Sequence, residues 1–186
     1  MKPENLRIYL ETTLFNFYFD THPVNAAKHW AVHRLFEKIR QRIYVAYTSF
    51  SVTKELSRAE EPKRSKMENL LEEYGIKRLA PVTEADKLAG IYLSQKIIPK
   101  KYDADARHIA ITTVYGLDYI VSYDFEHIVK DKTIYLTMSA NMREGYRPIG
   151  IVSPEEEEDA FFQAESPAGS YALEEGSLEG NPFHDE

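Results

Sequence analysis

The sequence predicts an α/β domain of three layers, with a central, mostly parallel sheet flanked by helices. Three observations carry this. Segments rich in strand formers alternate along the chain with segments of helical periodicity, the order that gives crossover connections and parallel pairing. One strand segment, "LDYIVSYD" at residues 117–124, is a continuous apolar run of the kind covered on both faces. The 186 residues are 43% hydrophobic and 28% charged, which suits one ordinary globular core.

The elements follow in order. "LRIYLE" (6–11) is a short strand. In "PVNAAKHWAVHRLFEKIR", Ala27, Trp30, Ala31, Leu35 and Ile39 recur at helical spacing. "RIYVAYTS" (42–49) is the second strand, and a short helix from about Ser51 carries Val52, Leu56 and Ala59 on one face. Pro62 opens a helix with Met67, Leu70, Leu71 and Tyr74 as its stripe and Gly75 as its stop. "IKRLAP" (76–81) reads as a strand or an extended connection, and 83–97 as a helix with Thr83 as its cap and Pro99 beyond its end. "DADARHIAITTVYG" is the clearest helix: Ala106, Ile109, Ala110, Thr113 and Val114 share a face, acids occupy the first turn and Gly116 ends it. After the strand at 117–124 come a polar helix or loop, a helix near 137–144 and a last strand in "YRPIGIVS". Phe15, Phe17 and Phe19 alternate as packing residues do.

Charge is unevenly placed. From Pro154 onward there are eleven Asp and Glu and no Lys or Arg, which leaves 19 acids against 23 bases in residues 1–153. The expected division is therefore a folded body over 1–153, at about +4, and an acidic tail over 154–186. A mildly basic body is compatible with a polyanionic substrate and equally with an ordinary surface. The chain has no cysteine, which excludes disulfides, thiol nucleophiles and cysteine-held zinc. It has no apolar run near the roughly 18 residues a membrane span needs, so a soluble, cytoplasmic protein without membrane association is the expectation. No glycine-rich phosphate loop is present, which argues against a nucleotide-driven enzyme.

Acids carry the chemistry. Glu11 and Asp124 each close a strand, and in open parallel sheets ligands bind beyond those carboxyl ends. Asp105 lies in the first turn of its helix, and Glu55 lies one turn into the helix after the second strand. Carboxylates gathered in one pocket repel one another and call for a cation. Oxygen ligands without His or Cys favour magnesium or manganese over zinc. Such a centre suits phosphodiester hydrolysis, one ion activating water and a second, about 3.5–4 Å away, stabilising the leaving oxygen. The residues alone leave plainer roles open: Asp105 complementing its helix dipole, and Glu55 pairing with Lys54 or Arg58 across solvent.

The ordered set "RIYLETTLFNFYF" (7–19), "AYTSFSVTKELSRA" (46–59), "IIPKKYDADARHIAIT" (97–112), "LDYIVSYDFEHIV" (117–129) and "NMREGYRPIGIVSPEE" resembles the PIN-domain ribonucleases of the prokaryotic VapC toxin type, over about 150 residues. The resemblance implies a metal-dependent endoribonuclease with catalytic Glu11, Glu55, Asp105 and Asp124. Of these, Glu11, Asp105 and Asp124 would be the metal ligands, with magnesium or manganese as cofactor. It implies support from Thr12, which follows the first acid. It also implies an RNA substrate and a small antitoxin partner, and leaves a homodimer open. The family's first acid is usually Asp; Glu11 is one methylene longer.

Other residues have two readings. Asp103 is a rim or supporting acid, or a helix-dipole partner. His29 and His33 are spaced i, i+4 but lack a third ligand. His108 sits three residues past Asp105 and flanks the pocket or is bonded in the core. His127 lies where it would meet a phosphate near Asp124. Thr12 and Ser122 have hydroxyls suited to capping backbone. Lys54, Arg58, Lys63, Arg64 and Lys66 follow a phosphate backbone or form a solvated face. The class alternative is a catalytically silent module of the same fold that binds RNA or protein.

Overall fold

The computed structural model describes residues 5–156. Most of the acidic segment expected from 154 onward lies outside the described residues. Among the described residues the chain runs β1 (Leu6–Leu10), α1 (Thr12–Phe19), α2 (Ala26–Arg40), β2 (Tyr44–Ser49), α3 (Phe50–Leu56), α4 (Lys63–Glu73), β3 (Lys77–Leu79), α5 (Thr83–Ser94), α6 (Asp103–Val114), β4 (Tyr119–Val121), α7 (Asp131–Arg143) and β5 (Gly150–Val152). Single 3-10 turns at Pro23–Asn25 and Lys100–Tyr102 lead into α2 and α6.

The strands form one sheet in the order β3-β2-β1-β4-β5, and every pairing is parallel. From β1 the chain steps outward to β2 and β3, then crosses back to β4 and steps outward the other way to β5. Right-handed crossovers in these two directions place their helices on opposite faces. The packing agrees: α1 packs on α2 and α3, and α3 on α4, whereas α5 packs on α6 and α7. The expected α/β three-layer fold is thus observed, with a sheet that is wholly parallel.

The core explains the periodicities. Ile8, Tyr9 and Leu10 of β1 are fully buried, as a central strand covered on both faces requires. In α2 the buried face is Ala31, Val32, Leu35, Phe36 and Ile39. Trp30, expected on that stripe, is 61% exposed, because the face turned to the sheet is set by Val32 and Phe36, one position on. In α6 nearly every residue from Ala106 to Thr113 is buried, including His108, since the helix is wedged between α5 and the sheet. Gly116 ends α6 at φ 62°, a left-handed conformation that favours glycine.

Two elements depart from expectation. Residues 12–19 form helix α1, an element the periodicities do not predict; Leu14 and Phe15 are its buried residues, and Phe17 and Phe19 pack against the core half-exposed. The helix expected near 137–144 begins at Asp131, six residues earlier, because "FEHIVKDK" turns only as far as Lys130.

Candidate metal centre

The sheet has its switch point between β1 and β4, where the following helices depart to opposite faces. That leaves a crevice at the carboxyl edge. Each acid reaches it by a different route. Glu11 is the residue after β1 and Asp124 lies three residues past the end of β4. Glu55 is on α3, which starts directly at the end of β2. Helix α6 descends to the start of β4, so its first turn, with Asp105, stands at the carboxyl edge.

Two groups of donor atoms result. In one, an atom each of Glu11, Glu55 and His108 lies within 4.8 Å of the others; in the second, the same holds for Asp105, Asp124 and His127. All four predicted carboxylates are therefore at this edge, and each group adds an imidazole, so the donor set is not purely oxygen as expected. The signal was present as spacing for His127, three residues past Asp124, which on a tight turn puts the two side chains on one side; His108 is three residues past Asp105 but joins Glu11 and Glu55 instead.

Glu11 is held firmly. Its side chain caps α1: Oε2 accepts from the Thr13 backbone N–H (3.0 Å), from Thr13 Oγ1 (2.6 Å) and from Ser122 Oγ (2.9 Å). The extra methylene over Asp lets one carboxylate reach both its own helix and the end of β4. The two hydroxyls in turn accept from the backbone of the Asp124 loop, Thr13 Oγ1 from Tyr123 N–H and Ser122 Oγ from Asp124 N–H, both at 2.9 Å. Sequence reasoning passed over Thr13 and read Ser122 only as a backbone cap. A hydroxyl that bonds across 110 residues leaves no local signature.

Thr12, expected to support the site, does so at the second acid: its Oγ1 donates to Glu55 Oε2. Glu55 Oε1 lies 3.5 Å from His108 Nε2. On the other side of that ring, Nδ1 is 2.7 Å from the Tyr9 hydroxyl, itself 2.7 Å from Ser49 Oγ. Burial alone raises the pKa of Glu55. The hydrogen bonds from His108 and Thr12, with the charges of His108 and Arg58, outweigh it and hold the carboxyl below its ordinary value. Burial likewise disfavours a charged His108, but the bond to Glu55 and the charges of Glu11, Glu55 and Asp105 bring its pKa above the usual histidine value.

Asp124 Oδ1 accepts from the backbone N–H groups of Glu126 and His127, both at 2.9 Å, which folds the loop back on its acid. His127 Nδ1 then faces Asp105 Oδ2 and Asp124 Oδ2, each at 3.3 Å, and its ring lies on Tyr102 with centroids 3.5 Å apart. Asp105 is pushed up from 3.8 to about 6, by burial first and then by the charge of Asp124, with Glu11 adding to it. Carboxylates gathered with imidazole form a donor set that divalent ions accept, and a bound cation would favour the ionised form of Asp105.

The remaining candidates separate. Asp103 is exposed and pairs with Arg107 (3.5 Å), outside both groups. His29 and His33 bond the carbonyls of Phe17 and Tyr18 at 3.1 Å, and burial lowers the pKa of His33. Of the basic run, Arg64 pairs with Glu61 (2.5 Å) and Lys63 donates to Asn16 of α1 (3.1 Å).

These features define an α/β domain with an acidic, imidazole-containing centre at the switch point of a parallel sheet. No family model matches the sequence, and no curated protein does. Among solved structures, VapBC2 from Rickettsia felis bound to a DNA fragment from their promoter is similar at 11% identity, over 68% of this chain and 95% of that chain, with a TM-score of 0.47. No helix among the described residues is long and apolar enough to cross a membrane.

Proposed function

We propose that this protein is a PIN-type, divalent-metal-dependent endoribonuclease that cleaves single-stranded RNA, and that it acts as the toxin of a toxin–antitoxin pair. The observation that carries the reading is the meeting of Glu11, Glu55, Asp105 and Asp124 from four distant segments at one sheet edge, with Asp105 held near 6 by burial and by its acidic neighbours. Asp105, Asp124 and Glu11 hold the ion. Glu55, kept ionised by Thr12 and His108, orients the attacking water. The ion is magnesium or manganese, and manganese accepts the imidazoles more readily. When bound, it lowers the pKa of water and stabilises the leaving oxygen. Attack of that water on phosphorus would break the bridging P–O bond, the water giving up a proton and the leaving oxygen taking one up from solvent. Ser122 and Thr13 hold Glu11 against the Asp124 loop, so the ligands keep their spacing through the reaction.

One observation favours a second reading, the catalytically silent module that binds RNA or protein. Each acid group holds an imidazole of its own, so its carboxylates have a polar partner without an ion. The assay is cleavage of labelled single-stranded RNA by the purified protein with manganese, magnesium or EDTA. The nuclease reading expects cleavage with either ion and none in EDTA. Cleavage undiminished by chelation, or absent with both ions, would overturn it.

A further inference from the structure

Directly after Asp124, the chain exposes an aromatic ring. Phe125 is 48% exposed, although the neighbouring Tyr123 is buried and Phe17 of α1 is half-buried. The three rings form a graded cluster: Phe17 and Tyr123 meet edge to face with centroids 4.9 Å apart, and Tyr123 and Phe125 lie 6.2 Å apart and tilted. Lys28 of α2 brings its ammonium over all three, 4.8 Å from Phe17, 5.3 Å from Tyr123 and 5.9 Å from Phe125. The backing is tied down, since the Tyr123 hydroxyl donates to Glu155 (2.9 Å) with the Lys28 carbonyl 3.3 Å away, and its backbone N–H donates to Thr13.

We propose that Phe125 is a stacking platform for one base of a single-stranded nucleic acid, with Lys28 meeting the phosphate beside that base. The proposal rests on the nuclease reading for its geometry, because the platform adjoins Asp124 and the stacked base would neighbour the phosphate held at the carboxylates. Two features favour a base over an apolar side chain of a protein partner. What Phe125 exposes belongs to a single ring, which is the size of a base and small for a protein contact. A cation accompanies it, which complements a phosphodiester and gives an apolar side chain nothing. A base within a duplex has both faces covered by its neighbours, so the platform selects single strands.

The test is fluorescence anisotropy of a short labelled single-stranded RNA, with calcium in place of manganese and the strand checked for integrity afterwards. Wild type is compared with Phe125→Ala, Phe125→Leu, Phe125→Trp and Lys28→Ala, and a second strand of the same length carries abasic positions throughout. Stacking expects Phe125→Ala to weaken binding about tenfold, Phe125→Trp to bind like wild type, and the abasic strand to bind wild type and Phe125→Ala equally. Phe125→Leu keeps apolar bulk without a π face and should still lose affinity. Lys28→Ala should weaken binding to both strands and flatten the salt dependence. Equal binding of wild type and Phe125→Ala, a difference that persists on the abasic strand, or no binding of RNA by wild type would each overturn the platform. Binding that depends on Phe125 in a protein that cleaves nothing with manganese would leave the platform standing and remove the nuclease.

Discussion

At the scale of single residues, Asp105 is the most informative group. Its carboxyl is raised to about 6 by burial and by Asp124 and Glu11, while His108 and His127 oppose that shift. A folded-state pKa above the unfolded value means that ionising Asp105 destabilises the metal-free fold. That penalty builds as pH rises from about 4 to about 6 and is relieved as pH falls back. His108, also raised, contributes stability that is fully present below 6.5 and lost as pH climbs through its folded value, so the two groups act in the same direction. The melting temperature of the metal-free protein should therefore fall between about pH 4 and 6, where Asp105 is ionised unfolded but not folded, and fall again above 6.5 as His108 loses its proton; saturating manganese should reverse the fall, and thermal unfolding with and without the ion checks this. Protons compete with the ion at Asp105, so apparent manganese affinity should drop by about tenfold per pH unit below 6. In Asp105→Asn the repulsion is gone: the metal-free protein should melt at the same or a higher temperature, and RNA cleavage should fall at least a hundredfold, about the cost of misplacing one catalytic group. A large loss of melting temperature instead would make Asp105 a structural cap of α6.

At the scale of elements, the centre depends on how α1 and the Asp124 loop are tied together. Ser122→Ala removes the donor to Glu11, which is buried, and the acceptor for Asp124 N–H, which is half-buried, in one step. It should cost about 1–3 kcal/mol of stability and weaken manganese binding, measurable by denaturant unfolding and metal titration on the same variant. Gly150 of β5 shows a tighter constraint: a Cβ there would stand 2.1 Å from a Tyr119 ring carbon on β4. Gly150→Ala should destabilise by about 1–3 kcal/mol through overpacking, with no direct effect on the centre. The strands β1 and β4, the helix α6 and the edge positions of Glu11 and Asp124 were legible in the sequence, because an acid that ends an apolar run marks the carboxyl edge of a sheet; Asp105 and Glu55, both on helices, carried no such mark. Helix α1 was not legible. Its Thr, Phe and Tyr residues favour strands, and what makes it helical is the Glu11 cap on its first turn together with the tertiary burial of Leu14 and Phe15. The roles of Thr13 and Ser122 were hidden for the same reason, being set by the pairing of β1 with β4. His127 was visible only as spacing, and the spacing of His108 pointed to Asp105. Their entry into the acid groups needed the turn that brings His127 back onto Asp105 and the burial that fixes His108 against Tyr9 and Glu55.

At the scale of the molecule, a parallel sheet whose connections diverge between β1 and β4 makes a crevice, and this chain fills it with acids. The same feature offers a way to switch the protein off. A partner that inserts a guanidinium among the carboxylates would take the ion's place, because arginine bridges two carboxylates in a plane. An inhibitory partner should then bind the Asp105→Asn, Asp124→Asn double variant far more weakly than wild type, and equal binding to both would place the contact elsewhere. The central claim is that these carboxylates hold a divalent cation, and calorimetric titration of manganese into wild type and into that double variant tests it most directly. Saturable binding at pH 7.5 in wild type, lost or weakened at least a hundredfold in the double variant, is the predicted result. Equal manganese binding by the two proteins, or none by wild type at millimolar ion, would contradict it.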